Sequence, residues 1–260
     1  NVSGGTKFVK YFASADYINE GDLFKVYPNN RGYESGYGYD RINVRSNLDF
    51  SITKTTTLRV NLSGSSARRT APTMNSTNDI WQIQQQWAGA YNIAPDVFLP
   101  VYSDGAWGYY PQTSNVTNSA QNLSTGGLFE TTTNRINTDF TLEQDLGFIT
   151  KGLSLRGLIS WDNQFVESYH GFDYSQPIKW TTGGGSVNNW STMRNLYYQG
   201  QVNWMRTFAE KHDVSAMGLF SRSENATGSV IPYYREDWAF RATYSWNGRY
   251  FAEYNGAYNG

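Results

Sequence analysis

The chain has no cysteine, only two histidines and only seven prolines in 260 residues. Without thiols there is no disulfide framework and no cysteine-ligated metal. No apolar run approaches the roughly 20 residues of a membrane-spanning helix. The opening "NVSGGTKF" has neither the basic start nor the apolar core of a secretory leader, so a leader has been removed or the chain is an internal piece of something longer. A formal net charge of −1 gives no bulk attraction to nucleic acid. Neither G-x-S-x-G nor H-E-x-x-H occurs. His212 sits beside Asp213, and His170 lies three residues before Asp173, an arrangement that loops produce by chance. The Gly-rich "TTGGGS" at 181–186 has no following lysine or helical pattern and reads as a turn rather than a phosphate cradle. Catalysis, a metal centre and a cofactor are therefore not expected.

Aromatic residues are plentiful, at 17% with 20 Tyr and 9 Trp, in a chain whose mean hydropathy is −0.59. Such a mixture suits sheets, wet binding surfaces and membrane interfaces. In "DRINVRSNLDFSIT" (40–53), Ile42, Val44, Leu48, Phe50 and Ile52 alternate with Arg41, Asn43, Arg45, Asn47 and Asp49. A period of two is that of a β-strand with one apolar and one polar face. The pattern recurs at 6–19, 56–66, 135–146, 153–163, 196–204, 214–222, 237–246 and 249–258, giving nine expected strands.

The expected connections alternate in length. Residues 20–38, 67–134, 164–195 and 223–236 are long, while 53–55, 147–152, 207–213 and Asn247–Gly248 are short. Asn-Gly is a strong hairpin signal. Long-short alternation is expected of an up-and-down transmembrane barrel, with long outer loops and short periplasmic turns. Arg41, Arg45, Asp49, Arg59, Asp139, Glu143 and Arg156 would then line a hydrated lumen. Tyr17 and Tyr39 at the loop end, and Trp204, Trp246 and Tyr250 at the turn end, would form the interfacial girdles. The plainer alternative is that these aromatics pack an ordinary core. Asp139 and Glu143 lie about 13 Å apart at the usual strand rise, too far for a glycosidase pair. Nine strands do not close a single-chain bacterial barrel, so the chain reads as part of a larger one.

Within 67–134, "NDIWQIQQQWAG" (78–89) has Ile80, Ile83 and Trp87 at helical spacing, with Asn78 as a possible N-cap. The aromatics Trp81, Trp87, Tyr91, Trp107, Tyr109 and Tyr110, with Trp180, Trp190, Tyr233 and Tyr234 on other long connections, suit sugar faces. They suit loop packing or a docked lid protein equally.

The runs "NVSGGTKFVKYFASADYINEGD", "YDRINVRSNLDF", "NIAPDVFLPVYSDGAWGYY", "NRINTDFTLEQDL", "FITKGLSLRGLISWDN" and "YREDWAFRATYSWNGRYFAEYNGAYNG" resemble the SusC/RagA family of TonB-dependent outer-membrane transporters of Bacteroidetes. The resemblance implies an all-β fragment, residues 1–260, of a 22-stranded barrel, from its first half just after the plug. It implies a SusD-like lipoprotein lid, import of oligosaccharides or, in some members, peptides, and energy relayed through TonB. The plug and the TonB-contact segment are not in this sequence. A different class of function, a non-transporting carbohydrate-binding or adhesin module whose sheet is covered by protein on both sides, stands beside it.

Overall fold

A computed structural model describes the chain apart from residues 74–78, 111–115, 117, 175–182 and 229–230, and apart from the side chains of 79–83, 172–174 and 183–187. The strands are β1 (Val2–Gly5), β2 (Val9–Glu20), β3 (Gly38–Ser51), β4 (Thr56–Ala71), β5 (Leu128–Asp145), β6 (Leu153–Tyr174), β7 (Gly183–Phe208), β8 (His212–Thr227), β9 (Tyr233–Trp246) and β10 (Tyr250–Asn259). Helices α1 (Asp79–Asn92) and α2 (Ser119–Thr125) lie between β4 and β5. All ten strands form one antiparallel up-and-down sheet in chain order, with β1 and β10 as its edges. The expected transmembrane barrel wall is thus the observed architecture, and the sheet is open.

The register sorts the side chains. Val9 pairs with Phe50, Phe50 with Leu58 and Leu58 with Leu142, so these four share one face. Stepping by twos along each strand, that face carries an apolar band about five side chains deep: Val9–Tyr17 on β2, Ile42–Phe50 on β3, Leu196–Trp204 on β7, Trp238–Trp246 on β9 and Tyr250–Tyr258 on β10. Five alternate positions span nine residues, the length a tilted strand needs to cross a bilayer core. Just beyond the band the same face turns ionic, with Arg68–Glu130 at 2.6 Å, Arg194–Glu224 at 3.5 Å and Arg222–Glu236 at 3.1 Å.

Almost nothing covers either face. Among the described residues the buried apolar side chains are Val60, Ala71, Pro72, Leu123 and Ala226, while Ile42, Phe140 and Phe240 are 44–50% exposed. Among the described residues no second layer of protein packs on this sheet, so its aromatics do not pack an ordinary core within this chain. Backbone ladders run unbroken from strand to strand, as a lipid-spanning sheet requires.

Several expectations need correction. The nine strands become ten, because "VSGG" pairs with β2. The connections 164–195 and 223–236 are mostly strand: β6 has 22 residues and β7 has 26. Strand pairing continues past the band because backbone bonds need no apolar face, and the outward residues there are Asn163, Glu167 and Arg194. The loop between β4 and β5 is correspondingly shorter than 67–134 and holds two helices instead of one. Asn78 lies outside the described residues. Tyr39 is no girdle residue: it pairs with Arg69 on the polar face, whereas Tyr17 stays on the apolar face and donates to Asp40. Its odd number places it in phase with Arg41, a consequence of strand parity.

Candidate functional site

The polar face is built from the odd-numbered residues of β3–β5 and the even-numbered residues of β6. Arg41, Arg45, Asp49, Arg59, Asp139, Glu143 and Arg156 all lie on it. The register sets Asp49 opposite Arg59 and Glu143 opposite Arg156, so opposite charges meet across strands. Arg59 Nη1 reaches Glu143 Oε1 at 2.7 Å, and looser contacts of 3.9 Å join Arg59 to Asp49 and Arg156 to Glu143. Asp139 accepts from the Ser160 hydroxyl at 2.5 Å. These half-exposed pairs compensate charge and contribute little stability, as solvated ion pairs do. On β7 the charges give way to amides. Tyr197 donates to Gln199, Gln199 to Gln201 and Gln201 to Asn203, a ladder along one strand.

At the end of the sheet opposite the short turns, two connections pack on one another. Asp22 holds both ends of the β2–β3 connection, accepting from the backbone N–H of Phe24 at 2.8 Å and of Tyr37 at 2.7 Å. That connection docks on the C-terminal end of α2. Tyr27 N–H donates to Ser124 Oγ, Asn29 Nδ2 to the Ser124 carbonyl, the Tyr33 hydroxyl to the Thr125 carbonyl and the Ser35 hydroxyl to the Gly127 carbonyl. Asn118 caps α2 through Gln121 N–H and also donates to the Pro100 and Gly108 carbonyls, tying the 100–108 hairpin to the helix. A cavity of about 630 Å³ opens within the first connection, lined by Val26–Ser35.

The aromatic residues singled out from the sequence separate in this frame. Trp87 stacks on Tyr91 with ring centres 6.1 Å apart and lies 5.4 Å from Phe24; Trp107 meets Tyr27 edge-on at 6.1 Å. These contacts join the two connections. Tyr91 is nevertheless 81% exposed, and one flank of Trp87 is open. Tyr109 is exposed and Tyr110 half-buried beside them. Trp190 is not in a loop: it lies on β7 opposite Glu167, on the face that continues the apolar band, apart from the others. Trp180 lies outside the described residues, as does the side chain of Trp81. Tyr234 is also a strand residue, with Arg222 over its ring at 4.7 Å. Sequence reasoning missed Phe24, Tyr27 and Tyr33 as partners of the long loop. The Tyr- and Gly-rich run 27–39 was the available signal.

His170 pairs across strands with Phe129 and meets its ring edge-on at 5.5 Å. Desolvation lowers its pKa. Among the described residues, no three His, Asp or Glu side chains are grouped to hold a metal ion.

No protein-family model and no curated protein matches the chain. Solved structures do. The RagAB peptide transporter superposes with a TM-score of 0.65 at 14% identity, over 99% of this chain and 31% of that one. The "closed-closed" state of the RagAB peptide importer gives 0.66 at 14% identity, over 99% and 30%. The fold is that of a transporter's barrel wall. The chain spans about a third of the length of the transporters it matches. A wall of this fold, with an uncovered apolar band bounded by ionic residues, belongs in a bacterial outer membrane.

Proposed function

We propose that the chain forms wall and outer mouth of a TonB-dependent importer that takes up oligosaccharides or peptides with a SusD-like lipoprotein as its lid. The observation that carries this reading is the likeness to the RagAB importer along 99% of the chain, joined to a banded exterior and a hydrated polar face. In this reading the polar face lines the lumen, and Asp49, Arg59, Glu143 and Arg156 keep it wetted and locally neutral. The packed connections stand over the mouth. Trp87, Tyr91, Trp107, Tyr109 and Tyr110 offer aromatic surface to cargo or lid, with Trp81 and Trp180 as further contacts. The RagAB likeness puts peptide cargo on an equal footing with sugar.

The test is uptake by cells of the native host, with and without the gene that encodes this chain, fed labelled peptide and oligosaccharide pools. Import of at least one pool should vanish on deletion, and also when the proton-motive force is collapsed. Unchanged uptake of both pools would overturn the assignment.

A further inference from the structure

The apolar band ends differently at its two edges. At the edge opposite the short turns, the same face continues into the ion pairs Arg68–Glu130, Arg194–Glu224 and Arg222–Glu236. At the turn edge the band runs to the strand ends, at Val9, Phe50, Leu153, Trp246 and Tyr250. Among the described residues no ion pair follows on that face there. Cations follow instead. The connections 6–8, 52–55, 146–152, 209–211 and 247–249 each hold one basic residue: Lys7, Lys54, Lys151, Lys211 and Arg249. Glu210 is their one acid. The long connection 72–127, by contrast, holds Asp79, Asp96 and Asp104 and no lysine or arginine.

Arg206 adds a sixth cation on the face of the band itself. It is in phase with Trp204, pairs with Val214 and lies over the Phe208 ring at 4.9 Å. All six basic side chains are exposed, and among the described residues none is held in an ion pair. The nearest strand carboxylates point the other way. Asp145 and Asp213 stand on the polar face, where Asp145 accepts from Gly147 N–H and Asp213 from the Thr207 hydroxyl.

We propose that this basic collar binds the headgroups of anionic phospholipids in the leaflet beside the turns. Short turns of an outer-membrane barrel face the periplasm, so that leaflet is the inner one. Depth supports a headgroup. Lys7, Lys151, Arg206 and Arg249 lie one or two residues past the band, about 3–7 Å at the usual strand rise. A hydrocarbon core of about 30 Å is flanked by headgroup layers of that depth. The company of the cations supports a lipid rather than a soluble anion. Phe148 and Ile149, in the turn that carries Lys151, are 75% and 65% exposed, as suits side chains dipping into the acyl boundary. Lysine and arginine stems can lie along that apolar edge while their charged heads reach the phosphates. A collar of one sign draws anionic lipid from within a Debye length.

The test uses the full-length protein, any native thiols replaced by serine, with a bimane label on Ala252→Cys. Residue 252 faces the band side opposite Tyr244, beside Arg249. The protein is reconstituted into vesicles of phosphatidylcholine and phosphatidylglycerol, in which one lipid or the other carries brominated, quenching chains. Quenching at 252 should report phosphatidylglycerol enriched about threefold or more over phosphatidylcholine, as several cations beside an anionic surface imply. Added salt should shrink the enrichment. In Arg206→Gln/Lys211→Gln/Arg249→Gln it should fall to within about 1.5-fold, while Arg206→Lys/Arg249→Lys keeps it, because charge is what attracts the lipid. A label on Ser66→Cys, on the same face at the opposite edge near the paired Arg68, should show no enrichment. Equal quenching by both lipids at 252 would overturn the proposal. So would enrichment that survives the triple Gln variant, vanishes in the double Lys variant, ignores salt or appears equally at 66.

Discussion

Phe140 and Asp139 are neighbours in sequence and face opposite solvents. Phe140 stands in the apolar band between Val60 and Ile159, and Asp139 stands on the polar face against Ser160. A charge at mid-band meets hydrocarbon, so Phe140→Arg should destabilise the folded barrel by about 2–4 kcal/mol, and Leu142→Arg, closer to the band edge, by less. Arg45→Ala on the hydrated face should stay within about 0.5 kcal/mol. Denaturant titration of the protein refolded into lipid vesicles reads all three; equal costs on both faces would refute the assignment of faces. His170 gives a second test at this scale. Its folded pKa lies below the ordinary histidine value because burial disfavours the charged ring. Its contribution is therefore complete above about pH 6.5 and is lost as pH falls from there toward the lowered value. The protection factors of the amides at 128–130 and 169–171, with the intrinsic pH dependence of exchange divided out, should fall on acidification below that point, and His170→Phe should remove the effect.

Turns decide the elements. Asn247 and Gly248 both have positive φ, 51° and 64°, and the Arg249 N–H closes the turn on the Trp246 carbonyl at 2.9 Å. This is the primed turn whose twist matches its strands. Gly152, in the short connection between β5 and β6, has φ +86°, and a Cβ there would stand 1.7 Å from the Met205 carbonyl oxygen. Gly152→Ala should therefore break the last β6–β7 pairs and lower the yield of folded, surface-exposed protein severely. Gly157→Ala, at an open position inside β6, should fold normally. Heat-modifiable mobility on gels distinguishes the two. The strands and the Asn-Gly turn were legible because a period of two and a turn dipeptide are local signals. The extensions of β6 and β7 were not. Past the band both faces are wet, so the alternation that marks a strand disappears while the backbone pairing goes on. The same limit applies to the site. Strand parity placed Arg41, Arg59 and Glu143 on one face, but the meeting of Asp49 with Arg59 and of Glu143 with Arg156 depends on cross-strand register, which no single strand encodes. Helix α2 escaped because its apolar signal is Leu123 alone; its mark was the cap, Asn118.

At the scale of the whole chain, the sheet presents two unpaired edges, and among the described residues nothing packs over its apolar face. Unpaired edges template association. The 260-residue chain expressed by itself should consequently form mixed oligomers in detergent; a monodisperse, heat-resistant pore would contradict that. The central claim is that lipid meets the face of Ile42, Val44, Leu48 and Phe50, and water the face of Arg41, Asn43, Arg45, Asn47 and Asp49. These 260 residues hold no cysteine, so only native thiols elsewhere in the full-length protein are first replaced by serine. Single cysteines placed in turn at 41–50 in the full-length protein, spin-labelled and reconstituted into vesicles, report collision with oxygen, which favours lipid, and with a water-soluble nickel chelate. Oxygen accessibility should peak at even positions and nickel accessibility at odd ones, in opposite phase along all ten residues. Accessibilities that rise and fall together, or nickel peaks at the even positions, would contradict the account.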